Sequence, residues 1–460
     1  MSLRVLVFAF VAALLAAVVP AAAQIPIPPG WQPERAVVLL RDGVHAPAQT
    51  NEELDKYVAT PWPVWPVPPG ALTPHGAELL RLMGAYHRAL QGGRGLTQTD
   101  DCPPAGTVAA WADTDQRTRD SGAALMSGLY PRCNVAPRYQ ADLSKPDPLF
   151  APQPTPSCPM DFASNRAALL ARIGGDFSSV LREYAPQLSQ MQATLCPTAL
   201  AGGRQCGLPS AAPAVQRGPD GRIIIAGPIA IGSAAAENFA MESAEGLPAN
   251  QVAWGRLSGD SAIRNLLKIH RLEVDLAEKT LPIAQQRGSN LLSQVITTLQ
   301  DGHKFPGAPN VAEPVRLAIL IGHEHNIAHI ERLLNLAWEI PGYQANEVSP
   351  GSGLAFELFR EPSTGQLYVR LAFFAQTPEQ MSRATVLNLA QPPGAVAVDL
   401  PACAAYARER SCPIERFLEI AKAAIDPACV TIKPWGWICL PRPPARRGWC
   451  RRRSRRECRA

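Results

Sequence analysis

The chain has 460 residues, 46 of them proline, and a formal net charge of +5. The positive charge is concentrated at the C-terminus: residues 436–460 contain nine arginines and one glutamate, which leaves −3 for residues 1–435. This distribution argues against a basic body that binds nucleic acid, and we expect no nucleic-acid partner. The length is too great for one simple core, which favours two domains or one large domain with an insertion.

The N-terminal segment has the pattern of a secretory signal peptide. Arg4 gives a positive start, residues 5–19 are apolar, and the alanines at 21–23 form a small-residue cleavage site before Gln24. The apolar run is shorter than the roughly 20 residues that span a bilayer, so an uncleaved anchor is the less favoured alternative. We expect a periplasmic or secreted protein, with no membrane association once residues 1–23 are removed.

The first third of the mature chain alternates strands with helices. Apolar runs at residues 36–40 and 107–112 predict buried strands. Helices are predicted over residues 71–90 and 115–129, from their apolar spacing and their start signals. This alternation is typical of a mostly parallel sheet flanked by helices.

The middle of the chain has a different pattern, because residues 161–300 are mainly helical, with one long helix predicted over 262–286. Beyond them, strands are predicted at 316–322 and 368–374 and a helix at 326–338. The simplest architecture is an α/β domain built from both ends of the chain, with a helical domain inserted between them. The predicted boundaries are 24–145 and 301–435 for the two parts of the α/β domain, 146–300 for the insertion and 436–460 for a tail.

The tail, residues 436–460, is rich in Arg and Cys and shows no apolar period, so it is predicted to be unstructured. Its alternatives are a shifted reading frame at the end of a GC-rich gene and a functional basic arm for anionic surfaces.

Eight further cysteines lie in the body of the chain: Cys102, Cys133, Cys158, Cys196, Cys206, Cys403, Cys412 and Cys429. An even set behind a signal peptide predicts a disulfide framework, although spacing alone cannot choose the pairing. A zinc site is the rival interpretation. No CxxC pair or Cys/His cluster with ligand spacing occurs in the body, so we expect no metal.

Three polar loops follow predicted strands, at residues 41–47, 112–119 and 322–326. Ligands bind beyond the carboxyl ends of strands in open α/β sheets, so these loops are expected to converge on one crevice. They offer arginines for a bidentate grip on phosphate oxygens, several imidazoles, and a carboxyl group beside one of them. The sequence therefore predicts a phosphate-binding pocket.

These motifs resemble those of the histidine acid phosphatases, most closely the bacterial periplasmic phytase and glucose-1-phosphatase branch. That family has an Arg-His-Gly-x-Arg-x-Pro signature after its first strand, where this chain has RDGVHAP at 41–47, and a later His-Asp pair, here His323-Glu324. The likeness extends from about Pro33 to Val430. It implies a phosphoglycerate-mutase-like α/β domain with a helical insertion, a small phosphorylated substrate such as phytate or a sugar phosphate, and no metal or organic cofactor. We expect a monomer.

The resemblance also assigns pairings and roles. It pairs Cys102 with Cys133, Cys158 with Cys429, Cys196 with Cys206, and Cys403 with Cys412. It makes Arg41, His45, Arg117 and His323 the phosphate ligands, with Asp42 at the nucleophile position and Glu324 as the acid for the leaving oxygen. It places Gln49 and Glu237 near the substrate. His75, in the turn at 73–76, and His325, next to His323-Glu324, are two further candidate substrate contacts, and a solvated helix residue is the alternative for His75 and Glu237. The remaining histidines, His87, His270, His303 and His329, are expected to be surface or satisfied core residues.

Three positions depart from the family pattern. Glu324 replaces an Asp, which is mild because both acids have a reference pKa of about 4. His45 replaces an Arg and loses the fork geometry, so phosphate binding should depend on acid conditions. Asp42 replaces the nucleophilic His, which is the serious change, because an anionic carboxylate repels a phosphate dianion. Enzymes that form aspartyl phosphate usually screen that carboxylate with a divalent metal.

Three interpretations of activity follow. His45 can serve as a substitute nucleophile, Asp42 can act as nucleophile or as base for water, or the pocket can bind esters without turnover beyond a weak residual rate. The sequence thus predicts an acid phosphatase-type phosphomonoester hydrolase with Asp42 at the nucleophile position. The alternative is a catalytically inactive pseudo-phosphatase that binds phosphorylated ligands.

Overall fold

The computed structural model describes residues 25–98, 102–198, 206–218, 220–306 and 313–431. The predicted signal peptide, its cleavage site before Gln24 and the predicted tail lie outside these residues, so all three stay predictions.

The centre of the described chain is a sheet of eight strands. Ten strands are described, and all of them except β4 and β5 belong to this sheet. In chain order they are β1 (Gln32–Arg41), β2 (Val108–Ala112), β3 (Arg138–Tyr139), β4 (Ala214–Arg217), β5 (Ile223–Ala226), β6 (Leu317–Gly322), β7 (Gly353–Arg360), β8 (Leu367–Ala375), β9 (Gly394–Val398) and β10 (Cys412–Pro413). The sheet has the order β10-β8-β7-β1-β6-β2-β3, and β9 also pairs with β8. Strands β4 and β5 form a separate hairpin.

The half of the sheet that carries the polar loops is parallel. β1 pairs with β6, β6 with β2, and β2 with β3, all in parallel, whereas β7, β8, β9 and β10 form antiparallel pairs. The connection from Arg360 to Leu367 is too short to carry the chain back to a parallel start. The α/β class is confirmed, and the expected mostly parallel sheet is corrected to a mixed one.

Twelve α-helices are described: α1 (Asn51–Leu54), α2 (Pro74–Gly93), α3 (Gln116–Leu129), α4 (Phe162–Arg172), α5 (Ser178–Glu183), α6 (Ala185–Leu195), α7 (Pro228–Ala244), α8 (Asp260–Ala277), α9 (Leu281–Gln300), α10 (Glu324–Leu334), α11 (Pro378–Ser382) and α12 (Ile414–Ala424). The helix predicted over 262–286 is wrong, because α8 ends at Ala277 and α9 begins at Leu281. Pro282 stands in the first turn of α9, where it needs no amide hydrogen, whereas it would break a continuous helix.

Helices cover both faces of the sheet. In β1, Val38 and Leu40 belong to a cluster with buried side chains of α2 and α3, and Val37 and Leu39 to a cluster with side chains of α9, α10 and α12. Strands that are buried on both faces have continuous apolar sequences, which is the pattern at residues 36–40.

A separate hydrophobic cluster lies in the middle of the chain. Most of its side chains come from the five helices α4, α5, α6, α7 and α8 and from the strand β5. Phe239 of α7 and Leu266 of α8 are fully buried in it. This cluster agrees with an inserted, mainly helical unit, to which the β4–β5 hairpin adds a small sheet. The boundaries at residues 146 and 300 stay predictions.

Four disulfides staple the described chain, and their pairing is the expected one: Cys102–Cys133, Cys158–Cys429, Cys196–Cys206 and Cys403–Cys412. Cys158–Cys429 connects positions 271 residues apart, so it ties the segment that precedes α4 to the end of the described chain. Within the described residues, no helix combines the length and the apolar character needed to cross a bilayer.

Candidate active site

The carboxyl ends of β1, β6 and β2 bring the three polar loops together. Arg41, the last residue of β1, lies opposite Gly322 of β6, and Ala112 of β2 lies opposite Ile321. The residues that follow each strand therefore meet at one edge of the parallel half-sheet, as the sequence predicts. His323 also precedes α10, so the site lies at the N-terminus of that helix.

Asp42 forms the floor of the site and is 2% exposed. Its Oδ2 lies 2.6 Å from Arg117 Nε and 3.4 Å from His323 Nδ1, and its Oδ1 lies 3.9 Å from Arg41 Nε. Burial raises the pKa of Asp42, but His323, then His45 and Arg117, lower it by more, so the pKa lies well below the usual value of a carboxyl group. Asp42 is thus an ionised carboxylate held by cations.

His323 is held by carboxylates on both sides of its ring. Its Nε2 lies 3.2 Å from Asp113 Oδ2 and 3.2 Å from Asp115 Oδ2, and its Nδ1 faces Asp42. Burial lowers the pKa of His323, but Asp42, Asp113 and Asp115 together outweigh burial and raise the pKa to about 10. His323 is therefore a fixed cation at neutral and acid pH.

Arg41 connects the floor of the site to the helical unit. Its Nη2 lies 2.7 Å from Glu237 Oε1 of α7, its Nη1 lies 3.3 Å from Glu324 Oε2, and Nη1 also donates to the carbonyl oxygen of Val348. Burial alone lowers the pKa of Arg41, but Glu324, Glu237 and Asp42 more than offset burial and raise the pKa. A cation therefore lies between the carboxylates of both units.

Glu324 opens α10 and faces His270 of α8. Glu324 Oε2 lies 2.9 Å from His270 Nε2. Burial raises the pKa of Glu324, but His270 and Arg41 bring it down to about 2. Burial lowers the pKa of His270, but Glu324, Glu237 and Glu273 raise it to about 9. The proton of this pair therefore lies on His270, and Glu324 is ionised.

These side chains line a cavity of about 360 Å³. Its cationic lining consists of Arg41, Arg117, Arg222, His270 and His323, and its carboxylates are Asp42, Glu237, Glu273, Glu278 and Glu324. A smaller, mostly apolar cavity of about 70 Å³ adjoins it and shares Arg41, Glu237, His270 and Glu324. The site is therefore a wide, charged cavity with an apolar side chamber beside Glu324.

The structure brings most of the predicted site residues to this cavity. Arg41, Asp42, His45, Arg117, Glu237, His323, Glu324 and His325 all line it. His45 Nδ1 lies 2.7 Å from the carbonyl oxygen of Ala46, which leaves Nε2 for a ligand. The ring of His325 stacks on that of His323 with centroids 5.2 Å apart, and its pKa is lowered to about 3, first by burial and then by the charge of His323.

Two predicted substrate contacts do not line the cavity. Gln49 is exposed, and only its neighbour Ala48 is part of the lining. His75 Nε2 lies 2.8 Å from the carbonyl oxygen of Met381 and 3.1 Å from that of Ala244, so its ring connects α2 to α7 and α11. A role for either side chain in substrate binding stays a prediction that this geometry does not favour.

His270 is the functional residue that the sequence did not reveal, because we expected a surface or satisfied core histidine. Nothing in the local sequence of α8 distinguishes it, since its meaning comes from Glu324, which is 54 residues away. The sequence also gives no role to Asp113 and Asp115, which contact His323. Both stand in the predicted polar loop at 112–119, and their position in that loop is the sequence feature that indicates them.

One cluster of the described residues has the composition of a metal site. One ligand atom each from Glu237, His270 and Glu324 lies within 4.8 Å of the others. The Arg41 guanidinium contacts both carboxylates and already places a positive charge between them. A divalent cation would therefore have to compete with an arginine, and the carboxylates are satisfied without one.

The fold defines an α/β protein in which Arg41, Arg117 and His323 surround the Asp42 carboxylate at the end of the parallel strands. Residues 37–198 and 259–373 match the family model of the histidine phosphatase superfamily (branch 2). The chain belongs to this superfamily, and the resemblance seen in the motifs is confirmed.

Relatives of known activity cover nearly the whole described chain. The phytase AppA of Escherichia coli (strain K12) is 33% identical over 403 residues, which cover 86% of this chain and 93% of that protein. The glucose-1-phosphatase of Salmonella typhimurium is 25% identical over 398 residues, which cover 86% of this chain and 94% of that protein.

Solved structures show the same likeness. The Hafnia alvei phytase in complex with tartrate superposes with a TM-score of 0.81 at 32% identity, covering 88% of this chain and 99% of that chain. The phytase from Citrobacter braakii gives a TM-score of 0.80 at 31% identity, covering 88% of this chain and all of that one. The relatives support a phosphatase-type activity.

Proposed function

We propose that this chain is an exported phosphomonoesterase of the acid phosphatase type, acting on phytate or a sugar phosphate. The observation that carries the proposal is the convergence of Arg41, Arg117 and His323 on the Asp42 carboxylate at the floor of the cavity. Asp42 is itself an anion that these three cations hold. The same cations can therefore hold the oxygens of a phosphoryl group that enters above it.

The proposed chemistry uses the two carboxylates in different roles. Arg41, Arg117 and His323 bind the phosphoryl oxygens, and His45 contributes its free Nε2. Asp42 attacks phosphorus, so that an oxygen–phosphorus bond forms at Asp42 while the ester bond breaks. Glu324 protonates the departing alcohol oxygen, and water then attacks the aspartyl phosphate to release phosphate.

The substrate class follows from the width and charge of the cavity together with its relatives. A volume of about 360 Å³ with basic groups at Arg117, Arg222 and His323 suits a ligand with several anionic groups. The Hafnia alvei phytase is also known in complex with myo-inositol hexakis sulphate. Phytate and sugar phosphates are the esters that we would test first.

Four disulfides support export, because such bonds persist in oxidising compartments. We accordingly place the protein in the periplasm or outside the cell, as a monomer without a nucleic-acid partner.

A second candidate function is binding of phosphorylated ligands without turnover. The specific observation in its favour is the 2.6 Å ion pair between the buried Asp42 carboxylate and the partly exposed Arg117 guanidinium. A carboxylate held in this way is weakly basic, and a phosphate that approaches Arg117 must share it with Asp42. Asp42 could then act as a competing anion instead of a nucleophile.

Phosphate release from p-nitrophenyl phosphate, phytate and glucose 6-phosphate separates the two functions. We would compare the purified, oxidised protein with Asp42→Ala and Asp42→His between about pH 3 and pH 7, a range that covers the ordinary pKa values of carboxyl groups and histidine. Turnover by the native protein that is lost in Asp42→Ala supports the hydrolase. No turnover by the native protein, with turnover in Asp42→His, supports the binding protein.

A further inference from the structure

A chain of four hydrogen-bonded side chains leads from the helical unit to Glu324. Glu273 Oε2 lies 2.6 Å from Ser233 Oγ, Ser233 Oγ lies 3.0 Å from His270 Nδ1, and His270 Nε2 lies 2.9 Å from Glu324 Oε2. We call this chain, Glu273–Ser233–His270–Glu324, the proton chain. Ser233 belongs to α7, His270 and Glu273 to α8, and Glu324 to α10, so three helices hold it in place.

The donors and acceptors of this chain fix where its proton lies. The Ser233 hydroxyl donates its single hydrogen to Glu273 Oε2. The Ser233 oxygen then accepts from His270 Nδ1–H, and Glu324 accepts from His270 Nε2–H. With Glu273 and Glu324 as the acceptors at the two ends of the chain, both ring nitrogens carry hydrogen and His270 is an imidazolium.

The surroundings of His270 favour this cation. Carboxylates face it from three helices: Glu237 on α7, Glu273 on its own helix α8 and Glu324 on α10, while Arg41 opposes it from the end of β1. Ser233 is 1% exposed, so the far side of the ring is closed to water. The raised pKa of His270, about 9, and the lowered pKa of Glu324, about 2, agree with the hydrogen-bond directions.

The leaving oxygen of an ester needs a proton that ionised Glu324 does not carry. We propose that His270 is the resting carrier of this proton and delivers it to the leaving oxygen through Glu324. The inference rests on the proposed function, because it assigns the proton source for that reaction. Because His270 acts through Glu324, it is a positioning residue. Ser233 and Glu273 fix the orientation of the His270 ring.

Every proton is accounted for in the two half-reactions. As the ester bond breaks, Glu324 receives a proton from His270 Nε2 and passes one to the alcohol oxygen, which leaves His270 neutral and Glu324 ionised again. When water attacks the aspartyl phosphate, Glu324 takes a proton from that water and returns it to His270. The net change is one water consumed, with one alcohol and one phosphate released, and the proton chain ends as it began.

The leaving group provides the test, because p-nitrophenolate leaves without a proton whereas a sugar alkoxide does not. We would measure kcat/KM of His270→Asn and Ser233→Ala on p-nitrophenyl phosphate and on glucose 6-phosphate, from about pH 4 to pH 8. His303→Asn is the matched control, because His303 is exposed and its backbone, not its ring, contacts Asp301. Damage to the fold lowers kcat/KM for both substrates together, whereas loss of proton delivery lowers kcat/KM for glucose 6-phosphate alone.

For His270→Asn we expect kcat/KM for glucose 6-phosphate to fall about 10²-fold, while kcat/KM for p-nitrophenyl phosphate, which does not include the later water step, changes by no more than about threefold. Ser233→Ala should show the same selectivity with a smaller loss, and His303→Asn should show neither. Equal losses on the two substrates in His270→Asn would overturn the proton chain and leave the hydrolase proposal intact. If the native protein shows no turnover of either substrate, the same comparison is made in the Asp42→His background. Absence of turnover in that background as well overturns both proposals.

Discussion

The cavity has an ionised carboxylate at each end, and the two carboxylates have different neighbours. Asp42 lies among Arg117, Arg41 and His323, whose charges are fixed because guanidinium groups do not release protons and His323 has a pKa of about 10. Glu324 lies against His270, which can release one. Two ionised carboxylates are therefore suited to different work: the partners of Asp42 bind charge, and the partner of Glu324 can transfer a proton.

The two ends also come from different parts of the fold. The Asp42 end is built by loops that leave the parallel half of the sheet, so strand register fixes its geometry. The Glu324 end depends on how α7 and α8 of the helical unit approach α10. The anion-binding half is thus set by the sheet, and the proton-handling half by the packing of the inserted helices.

The largest expected effect comes from removing Asp42. If its carboxylate accepts the phosphoryl group, Asp42→Ala should lower phosphate release at least about 10³-fold, in line with the loss of a nucleophile in other hydrolases. The same change removes the anion that competes for Arg117, so inorganic phosphate should bind more tightly in calorimetry. Retained turnover together with tighter binding would show that Asp42 is only a competing anion.

Glu324→Gln tests the other end. The change removes the group that touches the leaving oxygen, so glucose 6-phosphate turnover should fall about 10²-fold or more. It also removes the first carboxylate that raises the pKa of His270, so that pKa should fall from about 9. Histidine NMR titration checks the shift, and an unchanged His270 would contradict the pairing.

The charge on His323 should appear in the pH dependence of stability. Its pKa is about 10 in the folded protein and about 6.5 in an unfolded chain. The stabilisation that protonated His323 gives the folded protein is therefore complete below about pH 6.5 and is lost as the pH rises through about 10. Because Asp113 is one of its partners, Asp113→Asn should lower the free energy of unfolding by about 1–3 kcal/mol near pH 6.

The same variant should cost less near pH 11, where His323 is neutral in both proteins. Urea unfolding at the two pH values measures the difference. Asp115→Asn is the matched comparison, with a smaller expected loss because the Asp115 side chain is 49% exposed. A loss for Asp113→Asn that does not depend on pH would mean that only neutral hydrogen bonds are involved.

The smallest effect is expected from Glu237, which pairs with Arg41 from the helical unit. Glu237→Gln frees part of the Arg41 charge for a ligand, and inorganic phosphate should bind about two- to fivefold more tightly, as expected for one partly exposed ion pair. Calorimetry with phosphate measures this change. Weaker binding would show that Glu237 orients Arg41 more than it neutralises it.

The sequence predicted the Asp42 end better than the Glu324 end. Buried strands at 36–40, 107–112 and 316–322 mark the loops that follow them, and parallel pairing then brings Arg41, Arg117 and His323 together without further information. Four disulfide pairs followed from the family resemblance. The sequence also marks the break between α8 and α9, because Pro282 is unfavourable in the interior of a helix and favourable in its first turn.

The role of His270 could not be predicted, because the distance from α8 to α10 depends on tertiary packing that periodicity does not encode. The antiparallel half of the sheet was missed for a similar reason. The strands β7 and β8 are as apolar as parallel core strands, and the short connection from Arg360 to Leu367 makes β8 antiparallel to β7.

The most direct test of the central claim is to trap the phosphorylated protein. Native protein would be mixed with p-nitrophenyl phosphate, quenched in acid within the first turnover, digested and mapped by mass spectrometry. The account predicts one phosphoryl group on the peptide that contains Asp42, removed by hydroxylamine and absent in Asp42→Ala. A matched sample is quenched in base, because phosphohistidine is lost in acid. Phosphate release without a phosphorylated Asp42, or with the label on His45 in the base-quenched sample, would contradict the account.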